Sequence, residues 1–258
     1  MKHVVFLTLC VIMLCIEVKA QPVQLTENKG YAFPLHSFGV SFQESVLFPT
    51  KIKNKMGSLK PNQEICNNHE LAVQYSCLFR NHFGFTLELL FGSYRRLATF
   101  QLSAFGAEDI DTEAGDFYFG FRPEIAYFRP VHKNVSLQAE FGLTFMPFIH
   151  DPSCFMDRFT WINRANQEIV SMKINGMSYF CPDATISLTC LFHGNKRPKN
   201  HFSVGIYANL SFVTRLEMTY DTFNYGNLPF EARSYGICRW NSSNVGVSVG
   251  YRFMGLQP

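Results

Sequence analysis

Eight stretches of this chain alternate apolar residues with small or polar ones at every second position, and that period constrains the fold more than any other feature. The clearest runs from Val135 to Phe145, where Val135, Leu137, Ala139, Phe141, Leu143 and Phe145 alternate with Ser136, Gln138, Glu140, Gly142 and Thr144. The last, Val245 to Phe253, reads VGVSVGYRF and ends on aromatics. A period of two puts one set of side chains on each face of a β-strand. The other six are Phe38 to Phe48, Leu71 to Phe79, Phe83 to Phe91, Phe117 to Tyr127 with Pro123 interrupting its face, Ala184 to Phe192, and Phe202 to Phe212. Each is about as long as a tilted strand that crosses a bilayer.

The connections carry a second pattern. Short turns fall at Arg80-Asn81-His82, around Arg129 to Asn134, and from His193 to Asn200. Long connections cover 49–70, 92–116, 147–183 and 214–244. Short and long links alternate along the chain, as they do in an up-and-down barrel with tight turns at one end and loops at the other. No later stretch is apolar for the length a membrane helix needs, so any crossing would be made by strands.

The N-terminus reads as an export signal. Lys2 and His3 precede an apolar run from Val4 to Ile16, and Val18-Lys19-Ala20 offers a small-residue cleavage site. The expected organisation is a signal peptide over 1–20 and one barrel domain over 21–258. A formal charge of +3, with scattered basic residues, gives no argument for nucleic acid as a partner.

Alternation alone also suits a soluble sheet, so the polar face decides. Solvated faces and sheet edges commonly carry Lys. Here the polar faces of the second to eighth stretches hold Gly, Ser, Thr, Ala and Gln, with no Lys and a few charges of both signs. Such a face suits the inside of a narrow barrel filled by its own side chains. Charges inside must be paired, because an isolated buried charge is costly. Arg80, Glu88, Arg122, Glu124, Glu140 and Arg252 are therefore expected to form an ionic network that fills the lumen. A soluble barrel would reverse this, lining an apolar ligand cavity with the Phe-rich faces.

On these strands, this loop rhythm and the terminal VGVSVGYRF, the chain resembles the small eight-stranded outer-membrane β-barrels of Gram-negative bacteria, of the porin-like or outer-membrane-protein A and X type. The resemblance implies an all-β, eight-stranded antiparallel up-and-down transmembrane β-barrel. It also implies periplasmic termini and long extracellular loops. It is specific for fold and location and says little about activity.

Chemistry-bearing motifs are few. Six cysteines follow the signal segment. Cys154 and Cys181 bracket the third long loop, and Cys66 and Cys238 fall in the first and fourth; these are candidate loop disulfides, their connectivity open. Cys77 and Cys190 occupy apolar-face positions. No CxxC or HxxxH spacing suggests a metal site, and no cofactor is implied. His82, His132, His193 and His201 gather at the short turns. His150-Asp151 near Ser153 is the nearest approach to a catalytic grouping, with no motif around it. Phe159, Trp161, Tyr179, Tyr225 and Trp240 are candidate loop aromatics for contacting a partner. Packing of these aromatics in a ribbon that turns at Asn175-Gly176 is an equal and compatible reading. The sequence thus favours a non-enzymatic, monomeric barrel in the outer membrane, its long loops serving adhesion or binding. A rim-sited lipid-modifying enzyme or hydrolase and a narrow pore are the alternatives.

Overall fold

A computed structural model describes residues 34–48, 51–57, 59–63, 66–79, 82–102, 109–132, 134–146, 159–162, 168–176, 182–194, 197–214, 216–222 and 233–256. Within these residues the chain is all-β. Eight strands close a barrel: β1 (Leu35–Leu47), β4 (Asn67–Leu78), β5 (Phe83–Phe100), β6 (Ile110–His132), β7 (Val135–Phe145), β10 (Pro182–Gly194), β11 (Arg197–Ser211) and β14 (Asn244–Leu256). Each is antiparallel to its sequence neighbour in the barrel. β14 closes the ring on β1 with Phe253 opposite Phe38 and Val247 opposite Glu44.

The register sends the alternating residues where the polar-face argument requires. Ile125, Phe141 and Ile186 point outward and are 63%, 59% and 58% exposed. Their inward neighbours Glu124, Glu140 and Thr185 are buried. The Phe-rich faces therefore line the outside, and the soluble barrel with an apolar cavity is ruled out as a description of this fold. Cys77 and Cys190 hold outward positions and are half-buried.

β5 and β6 differ most from their sequence boundaries. Pro123 does not break β6, which runs straight through it opposite Leu87 of β5. Proline lacks an N–H, and the β6–β7 ladder has no pairing between Phe121↔Phe145 and Glu124↔Gly142. Across that gap the Arg122 side chain donates from Nε to Thr144 Oγ1 at 2.7 Å. Gly142 is required here, since a Cβ at this position would lie 2.2 Å from the Pro123 carbonyl oxygen. The long loop expected over 92–116 is mostly strand: β5 and β6 stay paired to Phe100↔Ile110, leaving 101–109 as the connection. The two strands form an arm beyond the barrel, and β3 (Asn62–Gln63) pairs with its β5 edge.

The other long connections also hold strands. β2 (Lys51–Met56), β8 (Phe159–Ile162), β9 (Glu168–Gly176), β12 (Leu216–Asp221) and β13 (Tyr235–Trp240) make a second sheet in the order β2-β13-β12-β9-β8. That order copies the barrel strands they continue, β1-β14-β11-β10-β7. The second sheet is thus five-eighths of the barrel wall carried onward at the loop end. Asn175-Gly176 is not a turn. It ends β9 and pairs with Glu217 and Leu216 of β12, so ladder pairing overrides the local turn preference.

Candidate functional site

The lumen is built in layers. At the turn end Leu35, Leu78, Ala126, Leu191 and Met254 form a buried apolar cluster, with Phe128 against it. Above it lies the charged layer. Arg122 is its centre: Nη1 contacts Glu88 Oε2 at 2.7 Å, Nη2 lies 3.6 Å from Glu70 Oε2, and the guanidinium stacks over the Tyr207 ring at 5.7 Å. Glu140 accepts from Gln74 and Gln138 at Oε1 (3.1 and 2.6 Å) and from Ser187 at Oε2 (2.9 Å). Arg252 donates to Gln138 Oε1 at 2.8 Å and lies 4.0 Å from Glu140 Oε2. Glu124 is buried beside them, and its Oε1 makes no hydrogen bond among the described residues. Towards the loop end a hydroxyl and amide chain follows, Thr144 to Thr185 at 2.6 Å, Thr185 to Asn209 at 2.7 Å, and Asn209 to Asn244 at 3.2 Å.

Five of the six charged residues named from sequence therefore lie in one buried layer; the sixth, Arg80, lies outside the described residues. Three further residues belong to it. Glu70 falls in the connection expected over 49–70 but sits on β4, where Tyr118 and Asn68 donate to its Oε1. Tyr118 and Tyr207 are buried, each at an inward parity between apolar neighbours. A cavity of about 20 Å³ is lined by Gln43, Glu88, Arg122, Glu140, Tyr207 and Arg252 among others. That volume holds roughly one water. Among the described residues Glu70, Glu88 and Glu140 are each bonded to arginine, amide or hydroxyl groups.

The loop end carries a second core. On the second sheet Met218, Tyr220, Cys238 and Trp240 share the face that is buried, and the arm supplies Phe100 and Leu102. The Phe100 and Tyr220 rings meet edge-on at 5.2 Å. Tyr220 donates to Asn54 Oδ1, and Asn54 Nδ2 holds the turn after β2 through the carbonyls of Gly57 and Leu59 at 3.1 and 3.2 Å. Gly57 takes a positive φ of 76° there, which glycine adopts without strain. Burial raises the Tyr220 phenol pKa above its ordinary value, with the Cys238 thiol adding to the shift. The neutral, donating phenol is thus favoured by folding. Its contribution is fully present below the ordinary value of 10.0 and declines as pH rises beyond it. Tyr220→Phe is expected to loosen this cap by about 1–2 kcal/mol, because Asn54 loses its donor. Limited proteolysis checks this, with faster cutting in the second sheet while the barrel strands stay resistant.

Two sequence expectations are corrected here. Trp240 is 4% exposed and belongs to the cap core, so it presents no aromatic surface to a partner. Cys66 and Cys238 are not joined as a disulfide. Cys66 lies at the barrel rim, where its carbonyl accepts from Leu47 N at 3.0 Å, whereas Cys238 is in the second sheet between Ile52 and Met218. Phe159 and Trp161 lie on β8. Tyr179, Tyr225, Cys154, Cys181, His150, Asp151 and Ser153 fall outside the described residues. Among the turn-end histidines, His193 and His201 have ring centroids 4.9 Å apart, and His201 is buried. Among the described residues no three His, Cys, Asp or Glu side chains are grouped to hold a metal.

The chain has the fold of small outer-membrane β-barrels. It is similar to the outer membrane protein OprG from Pseudomonas aeruginosa, with 10% identity, 87% of this chain and 97% of that chain covered, and a TM-score of 0.52. The structure of Ail, the attachment invasion locus protein of Yersinia pestis, in complex with the heparin analogue sucrose octasulfate, matches at 13% identity, with 85% and 98% covered and a TM-score of 0.34. No family model matches the chain, and no curated protein matches its sequence.

Proposed function

We propose that this protein is an integral outer-membrane barrel, non-enzymatic and non-conducting, that carries a folded binding surface at its extracellular end. The observation behind this reading is the inversion of the barrel: apolar side chains outside on every strand, and a bonded ionic layer inside. In water the outward Phe, Ile and Val residues would form a patch far larger than soluble monomers expose. Against lipid they are in their preferred solvent, and the closed ladder leaves no barrel edge unpaired. In this reading residues 1–20 direct export and are removed. The tight turns and both termini face the periplasm, and the second sheet and arm stand outside the cell. The protein acts as a monomer, and its loops serve adhesion or partner binding.

The lumen argues against a pore and against chemistry within it. An apolar cluster fills one end, a second core lies at the other, and the cavity in the charged layer holds about one water. Density-gradient flotation of the processed protein with phospholipid vesicles tests insertion; recovery in the soluble fraction without detergent would refute it. Planar-bilayer recording of the inserted protein is expected to show no discrete current steps. Stable unitary steps would replace the scaffold reading with that of a channel.

A further inference from the structure

The outer face of the second sheet has charge that the cap does not use. Because the sheet repeats the neighbour order of the barrel wall and turns Met218, Tyr220, Cys238 and Trp240 inward, its other face continues the lipid-facing surface above the barrel. Residues directly opposite in a ladder share a face. One row across the strands is Lys51, Arg239, Glu217 and Asn175; the next is Lys53, Ile237, Thr219 and Lys173. Lys53, Lys55, Lys173 and Arg239 are exposed, and Lys55 Nζ stands 5.2 Å from the Tyr235 ring centroid. Two acids share this face: Glu217 takes up Arg239 at 2.8 Å, and Asp221 stands in the following row opposite Tyr235. Lys53 and Lys173 remain as exposed charges on either side of that pair.

The height of the basic face also matters. Arg239 precedes Val245, the first outward residue of β14, by six positions. That is at most about 20 Å along an extended chain, or about 14 Å in height at a tilt near 45°. The cations therefore sit just above the hydrocarbon, where a membrane presents its headgroups.

We propose that this face binds the phosphorylated saccharide headgroups of glycolipid in the outer leaflet of the protein's own membrane. Ammonium and guanidinium groups pair with phosphate oxygens by charge-assisted hydrogen bonds. Polybasic segments beside a membrane are drawn to anionic lipid in the same way. Acyl chains of the same lipid would lie against the outward Val and Phe residues below, so headgroup and chain are met by one continuous wall. The inference rests on the reading of the barrel as membrane-spanning, and flotation tests that separately.

The test uses full-length processed protein already shown to float with vesicles, transferred to zwitterionic detergent. The probe is a bis-phosphorylated acylated glucosamine disaccharide, with its dephosphorylated form and the deacylated phosphorylated sugar as companions. Native mass spectrometry of the parent and of Lys53→Gln/Lys55→Gln/Lys173→Gln reads occupancy against probe concentration. The triple variant and the dephosphorylated lipid are each expected to bind about tenfold or more weakly, with a shallower salt dependence. The deacylated sugar is expected to bind more weakly than the lipid by a similar factor. Unchanged binding by the variant or by the dephosphorylated lipid overturns the proposal. Equal binding of the deacylated sugar overturns it in favour of a soluble polyanion. Retained heat-modifiable migration of the variant in gels shows that its barrel is intact.

Discussion

Arg122→Leu is expected to destabilise the barrel by about 3–5 kcal/mol, the range found when one partner of a buried ion pair is removed. The substitution is severe because Arg122 serves many groups at once. It lies 2.7 Å from Glu88 and 3.6 Å from Glu70, donates to Thr144 across the gap that Pro123 leaves in the β6–β7 ladder, and receives the face of Tyr207. With the guanidinium gone, Glu88 keeps, among the described residues, a long contact from Gln43 Nε2 at 3.5 Å. Glu70 keeps the Tyr118 and Asn68 donors and suffers less. The double replacement Arg122→Leu/Glu88→Leu should therefore recover a large part of the loss, since removing both partners of a buried pair leaves no stranded charge. Urea titration of the refolded protein in detergent, followed by intrinsic fluorescence of Trp161 and Trp240 and by gel mobility, measures both variants. A single variant as stable as the parent would mean that the lumen admits water freely and that the ionic layer is no structural plug. Lack of rescue by the double variant would assign the loss to packing against Tyr207 and Thr144 instead.

The division between what could be read in the chain and what could not follows the physics of the two faces. Parity fixes the inside from the outside: once Phe117, Phe119 and Phe121 face lipid, Tyr118, Arg122 and Glu124 must face the lumen. Tyr118 and Tyr207 were therefore available to that argument and were lost only because tyrosine does not announce itself as polar. Glu70 was harder. It lies where outward Asn67 and His69 break the apolar alternation of β4 as the strand leaves the hydrocarbon belt. The same change of solvent hides the second sheet. Above the membrane the outward face turns to Lys, as in β2, and the short strands lose the apolar stripe that marks their continuations below. β5 and β6 pass through the boundary as well, with Arg95, Arg96, Asp111 and Glu113 in positions that resemble a loop by composition. Trp240 illustrates the remaining limit. In sequence a loop aromatic reads as surface, and only the partner sheet shows that it is core.

Val249→Arg is expected to destabilise the inserted barrel by about 2–4 kcal/mol, whereas Val245→Arg is expected to cost about 0–1 kcal/mol. Both residues lie on the outward face of β14. Val249 is in the middle of the strand, between Phe42 of β1 and Val204 of β11, and Val245 is at its loop end between Val46 and Ala208. The difference is one of depth alone. A guanidinium in the middle of the belt must thin the bilayer or stretch its side chain to reach headgroups, while one at the rim is already there. Inward positions supply the converse: the lumen already holds Arg252 three residues beyond Val249 on the same strand, bonded to Gln138, so charge itself is not foreign to β14. What matters is the medium each face meets. Reversible urea unfolding from phospholipid vesicles gives both values under one set of conditions. A soluble barrel would show neither loss, because an exposed arginine on a solvated strand is nearly neutral. The gradient between the two positions therefore reads the depth of the belt directly. A flat response would remove the membrane from the account, even if the ring of eight strands were correct in every register.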